Sequence, residues 1–412
     1  METVPLLEGN RIVLGVTGGI AAYKICTLAS HLTQAGAQVD VVMTEAATRF
    51  VAPLTFEALT GRPVYTSMWR PADRGLPTHI AHVGLAHAAS LLVIAPATAN
   101  TMSKLAHGMA DNLLSTLALA ARCPVLLAPS MDVGMWNHAA TQANVAVLRE
   151  RGVRFAGPAR GRMASGLEGE GRLAEPDEIL GHIRLALGQR GPLVGHRVVV
   201  SAGPTREFLD PVRFLSNPSS GRQGFALAHA ALDRGAEVTL VAGPVHLSTP
   251  VGAERIDVVT AEEMREAVLD ESATADALLM SAAVVDYRPD EYACEKIKKS
   301  AGDLLLRLVR APDILATVAD RRGVTHRPRV VVGFAAETEG LLENARAKLQ
   351  AKNLDLIVAN DVTAPDAGFG SETNRVLLLD RDGDALALPL MSKAGVAQQV
   401  LNRIVDLLLA QD

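Results

Sequence analysis

The sequence predicts an α/β fold arranged as two doubly wound, Rossmann-like domains, and three features carry that expectation. Short apolar runs rich in Val, Ile and Leu alternate with stretches of helical periodicity, as when helices cover both faces of a parallel sheet. Two of these runs end in glycine turns, at Arg11–Gly19 and Arg197–Gly203, and each leads into a helix and a second strand. Between the halves, Ala186-Leu-Gly-Gln-Arg-Gly-Pro-Leu-Val-Gly195 carries three glycines and a proline and reads as a linker. The expected domains are therefore 1–190 and 191–412.

In the first half, the strand from Arg11 is followed by a helix from Ile20 to Gln34 and a strand within Gly36–Thr44. A strand at Leu91–Ala95, a helix from Thr98, a helix over Asp111–Ala120, a strand at Val125–Ala128 and a helix near Thr141–Arg151 come next. The glycine-rich stretch from Gly157 to Gly171 is too long for a tight turn and is expected to be a lid or a loop without regular structure. In the second half, Val198–Ser201 runs into Ala202-Gly-Pro-Thr205 and a long polar loop. Ser219-Ser-Gly221 then opens a helix with apolar positions at Phe225, Leu227, Ala228, Ala231 and Leu232, and a strand follows at Glu237–Val241. Hydroxyl and glycine residues at a helix start suit an anion, and equally a plain N-cap. Further strands are expected at Ala277–Met280, Val330–Gly333, Leu356–Ala359 and Val376–Leu379, with helices from Ala261, Pro312, Leu341 and Ser392.

Composition narrows the class. At 49% hydrophobic and 21% charged, with 34 glycines in 412 residues, the chain is globular rather than disordered. A net charge of −5 without a long basic run argues against nucleic acid as a partner. The three cysteines, Cys26, Cys123 and Cys294, show no CxxC spacing, which argues against a zinc cluster or disulfide framework and fits a reducing cytoplasm. The first ten residues lack the basic and apolar regions of a secretory signal, so none is expected. The apolar stretch from Leu113 is broken by Ser115, Thr116 and Arg122, so no membrane span is expected either.

A dinucleotide site would call for GxGxxG and an acidic residue ending the second strand. Here the glycines read Gly15-Val-Thr-Gly18-Gly19 and the strand ends in Met43-Thr44. A hydroxyl there suits a terminal phosphate better than a ribose diol, so FMN is preferred to NAD.

Thr17-Gly-Gly-Ile-Ala-Ala-Tyr-Lys24, Ala95-Pro-Ala-Thr-Ala-Asn100 and Pro129-Ser-Met-Asp-Val-Gly-Met-Trp136 together resemble the FMN-dependent cysteine decarboxylase family. From Arg197 onward the chain resembles phosphopantothenate–cysteine ligases. The residues that carry this are Ala202-Gly-Pro-Thr-Arg-Glu207, Asp210-Pro-Val-Arg213, Ser216-Asn217, Lys296-Ile-Lys-Lys299 and Gly333-Phe-Ala-Ala-Glu-Thr338, in that order. The fused pair resembles the bacterial bifunctional coenzyme A biosynthesis family over nearly its whole length. The resemblance implies a flavodoxin-like FMN-binding flavoprotein domain followed by a CTP-dependent ligase domain. It also implies a cytoplasmic homo-oligomer, its flavin domains associating as trimers and its ligase domains as dimers. The small-molecule partners it implies are 4′-phosphopantothenate, cysteine and CTP.

For the flavoprotein half, the resemblance places FMN against Thr17, Gly18, Gly19, Thr44, Thr98 and Asn100. It implies oxidation of the thiol of phosphopantothenoylcysteine to a thioaldehyde, loss of carbon dioxide, and return of the hydride by the reduced flavin. Of the histidines at 79, 82 and 87, the match falls on His82 as catalytic base, and His is the side chain that titrates near neutrality. Two substrate-binding positions depart from the pattern: Asp132 stands where the family has Asn, and Ser165 where it has a proton-donating Cys. A hydroxyl is a far weaker acid than a thiol, so water or another group is expected to supply the last proton. A carboxylate at 132 beside a substrate carboxylate is repulsive unless protonated or paired.

For the ligase half, joining a carboxylate to an amine requires activation as an acyl phosphate anhydride, and charge building on phosphorus calls for cations and N–H donors. Glu295-Lys296-Ile-Lys298-Lys299 concentrates positive charge, although such runs are commonly solvated. Lys348 and Lys352 stand at i,i+4 spacing and would share a helix face. The resemblance implies that CTP contacts Ser281, Ala282, Asp286, Lys296, Pro312, Asp313, Ile314, Leu315, Phe334, Lys348 and Lys352. It gives Lys296 the activation transition state and Asn217 the acyl-CMP intermediate. Mg2+ is expected with CTP, held mostly by phosphates and water. The competing readings are an active ligase with an impaired or regulatory flavin domain, a non-catalytic flavin regulator, and a nicotinamide reductase.

Overall fold

The computed structural model describes residues 3–69, 76–299, 303–337, 340–361 and 370–410. The chain divides into two compact units, Met1–Gly188 and Gln189–Asp412.

The first unit is built on six parallel strands: β1 (Arg11–Val16), β2 (Gln38–Met43), β3 (Val64–Tyr65), β4 (Leu91–Ala97), β5 (Val125–Pro129) and β6 (Arg154–Phe155). They lie in the order β3-β2-β1-β4-β5-β6. Because side chains alternate along a strand, each strand feeds two cores. Ile12, Leu14 and Val16 join Ile25, Leu28 and Leu32 of the helix Ala22–Gln34 and Ile179 and Ile183 of the helix Pro176–Gly188. Val13, Leu92 and Ile94 face the opposite way, toward Leu85, Met102, Leu113 and Leu117 on the helices Ala81–Ala88, Ala99–His107 and Leu113–Ala120. Burial on both faces explains why these strands read as unbroken apolar runs.

This order corrects the flavodoxin-like expectation, which would be 2-1-3-4-5. The chain steps outward twice, through the helix Pro53–Thr60 to the two-residue β3, before crossing back to β4 beside β1. The order therefore reverses between β1 and β4, and the crevice beyond their carboxyl ends is where such sheets bind ligands.

The glycine-rich stretch is an antiparallel hairpin, β7 (Ala159–Arg162) and β8 (Glu168–Arg172), rather than a loop without regular structure. It seats closely on the segment after β5. A Cβ at Gly171 would stand 2.4 Å from Met131 O, and one at Gly169 2.7 Å from Val133 Cγ2. The Met131 N–H donates to Gly171 O at 2.9 Å.

In the second unit the main sheet contains β9 (Arg197–Ala202), β12 (Glu237–Ala242), β13 (Ala253–Asp257), β14 (Ala277–Met280), β17 (Val330–Glu337), β18 (Leu356–Asp361), β20 (Val376–Asp380) and β21 (Ala385–Ala387). Their order is β13-β12-β9-β14-β17-β18-β20-β21; the first six are parallel, β20 runs antiparallel to them, and β21 pairs antiparallel with β20. The six parallel strands repeat the plan of the first unit, with the reversal between β9 and β14. Two hairpins leave the carboxyl edge beside that reversal: β10 (Arg206–Phe208) with β11 (Phe214–Ser216) after β9, and β15 (Tyr287–Pro289) with β16 (Leu308–Arg310) after β14. The stretch expected to be a linker is packed at its second-unit end: Leu193 is buried and its N–H donates to Arg234 O at 2.8 Å. Among the described residues no helix is long and apolar enough to cross a membrane.

Candidate functional site

In the first unit the six residues expected around a flavin fall at the carboxyl ends of three neighbouring strands. Thr17, Gly18 and Gly19 follow β1, Thr44 follows β2, and Thr98 and Asn100 follow β4. Their roles differ. Thr17 is buried; its hydroxyl donates to Pro96 O at 2.5 Å and accepts the Thr98 N–H at 3.3 Å. It ties the two loops of the crevice together, so its proton is already spent within the chain. Thr44 and Thr98 are N-caps, accepting the N–H of Ala47 and Thr101, each at 3.3 Å. Asn100 is exposed.

The two glycines separate a packing role from an open one. A Cβ at Gly18 would stand 2.4 Å from Ala46 Cβ and 3.0 Å from Ala46 C, so the fold itself demands glycine there. A Cβ at Gly19 would meet nothing nearer than Thr98 Cγ2 at 3.7 Å and Pro96 Cγ at 3.8 Å. The helix Ala22–Gln34 starts beside it with Ala21 as an N-cap that offers no side-chain acceptor. The N–H groups of Ala22 and Lys24 already donate to Gly19 O and Ala21 O, each at 3.0 Å, so it is chiefly the dipoles of this helix and of the helix Ala99–His107 that make the edge receptive to an anion.

His82 lies in the first turn of the helix Ala81–Ala88, which runs back to the start of β4, so that turn is directed toward the carboxyl edge. Its Nδ1 is buried with no hydrogen-bond partner among the described residues. A buried polar atom left this way marks a place where a ligand or water completes the hydrogen bonding.

The two departures from the family pattern meet in space. Ser165, at the tip of the β7–β8 hairpin, donates its hydroxyl to Asp132 Oδ2 at 2.9 Å, and Asp132 Oδ1 accepts the Gly134 N–H at 2.9 Å as N-cap of the helix Val133–Asn137. Both carboxylate oxygens thus have donors, and the pair joins the hairpin to the segment beside it.

In the second unit, Ser281 and Ala282 follow β14, Phe334 lies on β17, and Pro312 to Leu315 lead into the helix Ile314–Thr325. The Ser281 hydroxyl donates to Ser201 O at 2.7 Å and holds the ends of β9 and β14 together. Ile314 is buried and Leu315 packs on the core, so toward a ligand this turn presents backbone N–H groups rather than side chains. Asp313 caps that helix through the Ala316 N–H at 3.0 Å and is ion-paired with Lys352. Two residues expected around CTP are therefore partners of one another. Lys348 lies in the last turn of the helix Leu341–Ala351 and Lys352 is its C-cap, its N–H still donating to Lys348 O at 3.0 Å, so the i,i+4 relation holds at the helix end; Lys348 is exposed. Asp286 is exposed and accepts the Ala311 N–H on its backbone oxygen at 2.9 Å. Thr338 lies outside the described residues.

Asn217 follows β11 directly. Its Nδ2 donates to Ala283 O at 3.3 Å and Val284 O at 3.1 Å, which leaves its carbonyl oxygen as the group free to address a substrate. Lys296 is exposed in a segment without helix or strand. Asp210, which the motif Asp210-Pro-Val-Arg213 contains but to which sequence reasoning gave no role, is a buried carboxylate at the turn of the same hairpin.

Residues 3–187 match the family model described as flavoprotein, and residues 193–408 match that described as DNA/pantothenate metabolism flavoprotein C-terminal domain. The chain is 47% identical over 405 residues to the coenzyme A biosynthesis bifunctional protein CoaBC of Bacillus subtilis (strain 168), covering 98% of each chain. It is 46% identical over 402 residues to the protein of the same name from Escherichia coli (strain K12), covering 97% of each. Among solved structures, the C-terminal domain of a coenzyme A biosynthesis bifunctional protein CoaBC is 37% identical; it matches over 54% of this chain and 100% of that one, with a TM-score of 0.46.

Proposed function

This chain belongs to the family of bifunctional coenzyme A biosynthesis proteins, and from that premise we propose how its two units divide the work. It is an enzyme of coenzyme A biosynthesis with a ligase and a decarboxylase activity. Residues 191–412 join cysteine to 4′-phosphopantothenate, and residues 1–190 decarboxylate the product to 4′-phosphopantetheine.

In the ligase unit, a carboxylate oxygen of 4′-phosphopantothenate attacks the α-phosphorus of CTP and pyrophosphate leaves, giving an acyl-CMP. The cysteine amine then attacks the acyl carbon and CMP leaves. Negative charge builds on phosphorus in the first step, and the Lys296 ammonium with the N–H groups at the start of the helix Ile314–Thr325 offsets it. Lys352 is shared between Asp313 and the phosphates. Asn217, with both amide N–H groups committed to backbone carbonyls, accepts a hydrogen bond from the acyl-CMP through Oδ1. Mg2+ enters with the nucleotide and is held largely by phosphate and water.

In the flavoprotein unit the residues present fit FMN: an open glycine at 19, helix N-termini at the reversal point, and the exposed Asn100. When bound, FMN supplies reversible two-electron oxidation at the substrate thiol carbon. Thr17 and Gly18 hold the loop that shapes the site, and Gly19, Thr44, Thr98 and Asn100 border it. His82 carries the buried Nδ1 that accepts the thiol proton. Ser165 keeps the Asp132 carboxylate hydrogen-bonded and so holds the hairpin to the segment after β5 beside the substrate. The working protein is a cytoplasmic homo-oligomer.

What supports this reading most is that Thr17, Gly18, Gly19, Thr98 and Asn100 in the first unit, and Ser281, Ala282 and Asn217 in the second, stand at or against the carboxyl ends of the two strands between which the order reverses. The test is mass analysis of one mixture of 4′-phosphopantothenate, cysteine and CTP with the purified protein. Formation of 4′-phosphopantetheine, CMP and pyrophosphate is expected. Accumulated phosphopantothenoylcysteine would overturn the decarboxylase half, and unconsumed CTP the ligase half.

A further inference from the structure

The turn of the hairpin β10–β11 contains a carboxylate that the chemistry above leaves unused. Asp210 is fully buried. Its Oδ1 accepts the N–H groups of Val212 and Arg213, both at 2.8 Å, and shapes the turn. Its Oδ2 faces the other way and accepts the N–H of Ile297 at 3.2 Å, 87 residues along the chain. Arg213 lies 3.5 Å from the same carboxylate and donates to the carbonyl of Ile297 at 3.1 Å. Both polar groups of one backbone residue are therefore gripped by two side chains of the hairpin. The Ala293 N–H adds a tie upstream, to Leu209 O at 3.0 Å.

The segment Cys294–Lys299 has no helix or strand to fix its path, so these ties determine where it runs. Lys296 is the residue immediately before the gripped Ile297, and Asn217 leaves the same hairpin at its other end. Burial by itself would raise the Asp210 carboxyl, but the N–H groups of Val212, Arg213 and Ile297 and the Arg213 charge outweigh it and hold it below the usual carboxylate range. An amide of the same shape cannot replace it, because one of the two oxygens would become an NH2 facing N–H donors.

We propose that Asp210 is a positioning residue for ligation: through the N–H of Ile297 it sets where the Lys296 ammonium stands relative to Asn217. This rests on the assignment of Lys296 to the charge developing on phosphorus.

The test is a double-mutant cycle on the full-length protein, read as pyrophosphate release, with Asp210→Asn, Lys296→Gln and the two combined. Asp210→Asn is expected to lower ligation turnover about tenfold or more, and the double variant to fall within about threefold of Lys296→Gln alone, because both act through one group. Trypsin should cut after Lys296, Lys298 and Lys299 faster in Asp210→Asn, while decarboxylation of supplied phosphopantothenoylcysteine is unchanged. A double variant whose loss equals the product of the single losses overturns the proposal. A crippled Lys296→Gln beside an unimpaired Asp210→Asn overturns the positioning role alone. Full turnover in Lys296→Gln overturns the proposal from the other side, because the assignment of Lys296 then fails. Ile297→Pro, which removes the gripped N–H and leaves the hairpin turn intact, is expected to reproduce the loss and serves if Asp210→Asn does not fold.

Discussion

Adjacent glycines at 18 and 19 should respond oppositely to the same added methyl group. At Gly18 the new Cβ would lie 2.4 Å from Ala46 Cβ and 3.0 Å from Ala46 C, against a short helix rather than a flexible side chain. Relief requires the loop after β1 to move by about an ångström, and overpacking of this kind costs about 1–3 kcal/mol. For a unit the size of Met1–Gly188, each kcal/mol lowers Tm by roughly 2–4 °C, so Gly18→Ala should melt about 2–12 °C early. At Gly19 the nearest atoms are ordinary contacts at 3.7 and 3.8 Å. Gly19→Ala should therefore leave the flavin-free protein unchanged or stabilise it by about 0.4–1 kcal/mol through the unfolded chain. It should nonetheless weaken FMN binding about tenfold or more, because the methyl group enters the space proposed for the ligand; that loss corresponds to about 1.4 kcal/mol. Thermal melting of apoprotein and fluorescence titration with FMN separate the two effects. Apo-melting of Gly19→Ala as low as that of Gly18→Ala would refute the packing argument, and wild-type FMN affinity in Gly19→Ala would refute the placement of the site.

The other predictions follow from the same contacts. His82→Asn should abolish decarboxylation, whereas Ser165→Ala should scarcely change turnover, since the Asp132 oxygen it leaves is accessible to water; product formation from phosphopantothenoylcysteine measures both. Lys296→Gln should slow pyrophosphate release to a low residual rate, while Asn217→Asp, which replaces an NH2 facing two carbonyls with an oxygen, should let acyl-CMP accumulate; quenched-flow mass analysis would contradict this division if both variants are limited at one step. Burial raises the Glu207 carboxyl above its ordinary value, more than the Ala261 N–H and the Arg288 charge lower it. A raised carboxyl stabilises the fold at acidic pH, and the contribution is lost as pH climbs from the unfolded value through the folded one. Glu207→Gln, which keeps the acceptor for the Ala261 N–H at 2.7 Å, should therefore melt at or above wild type at pH 8 and lose that advantage near pH 4.

What the sequence determined by itself is the set of long parallel strands and the residues that end them. Val198–Val200 and Leu91–Ala95 were legible because a strand buried on both faces is apolar along its run, and the turn residues after it are confined to the edge where ligands bind. The motifs also pointed to Thr17, Gly18, Gly19, Thr98 and Ser281 at those ends, although not to the difference between Gly18, filled by Ala46, and the open Gly19. Only tertiary structure decided the rest. Two residues, Val64 and Tyr65, carry no readable period, yet their pairing outside β2 sets the strand order of the first unit. The hydrogen bond between Ser165 and Asp132 spans 33 positions and the one between Ile297 and Asp210 spans 87. Local propensity and periodicity extend over a few residues, whereas these side chains meet because glycines let a hairpin seat closely and because a buried carboxylate must find N–H donors wherever the fold brings them.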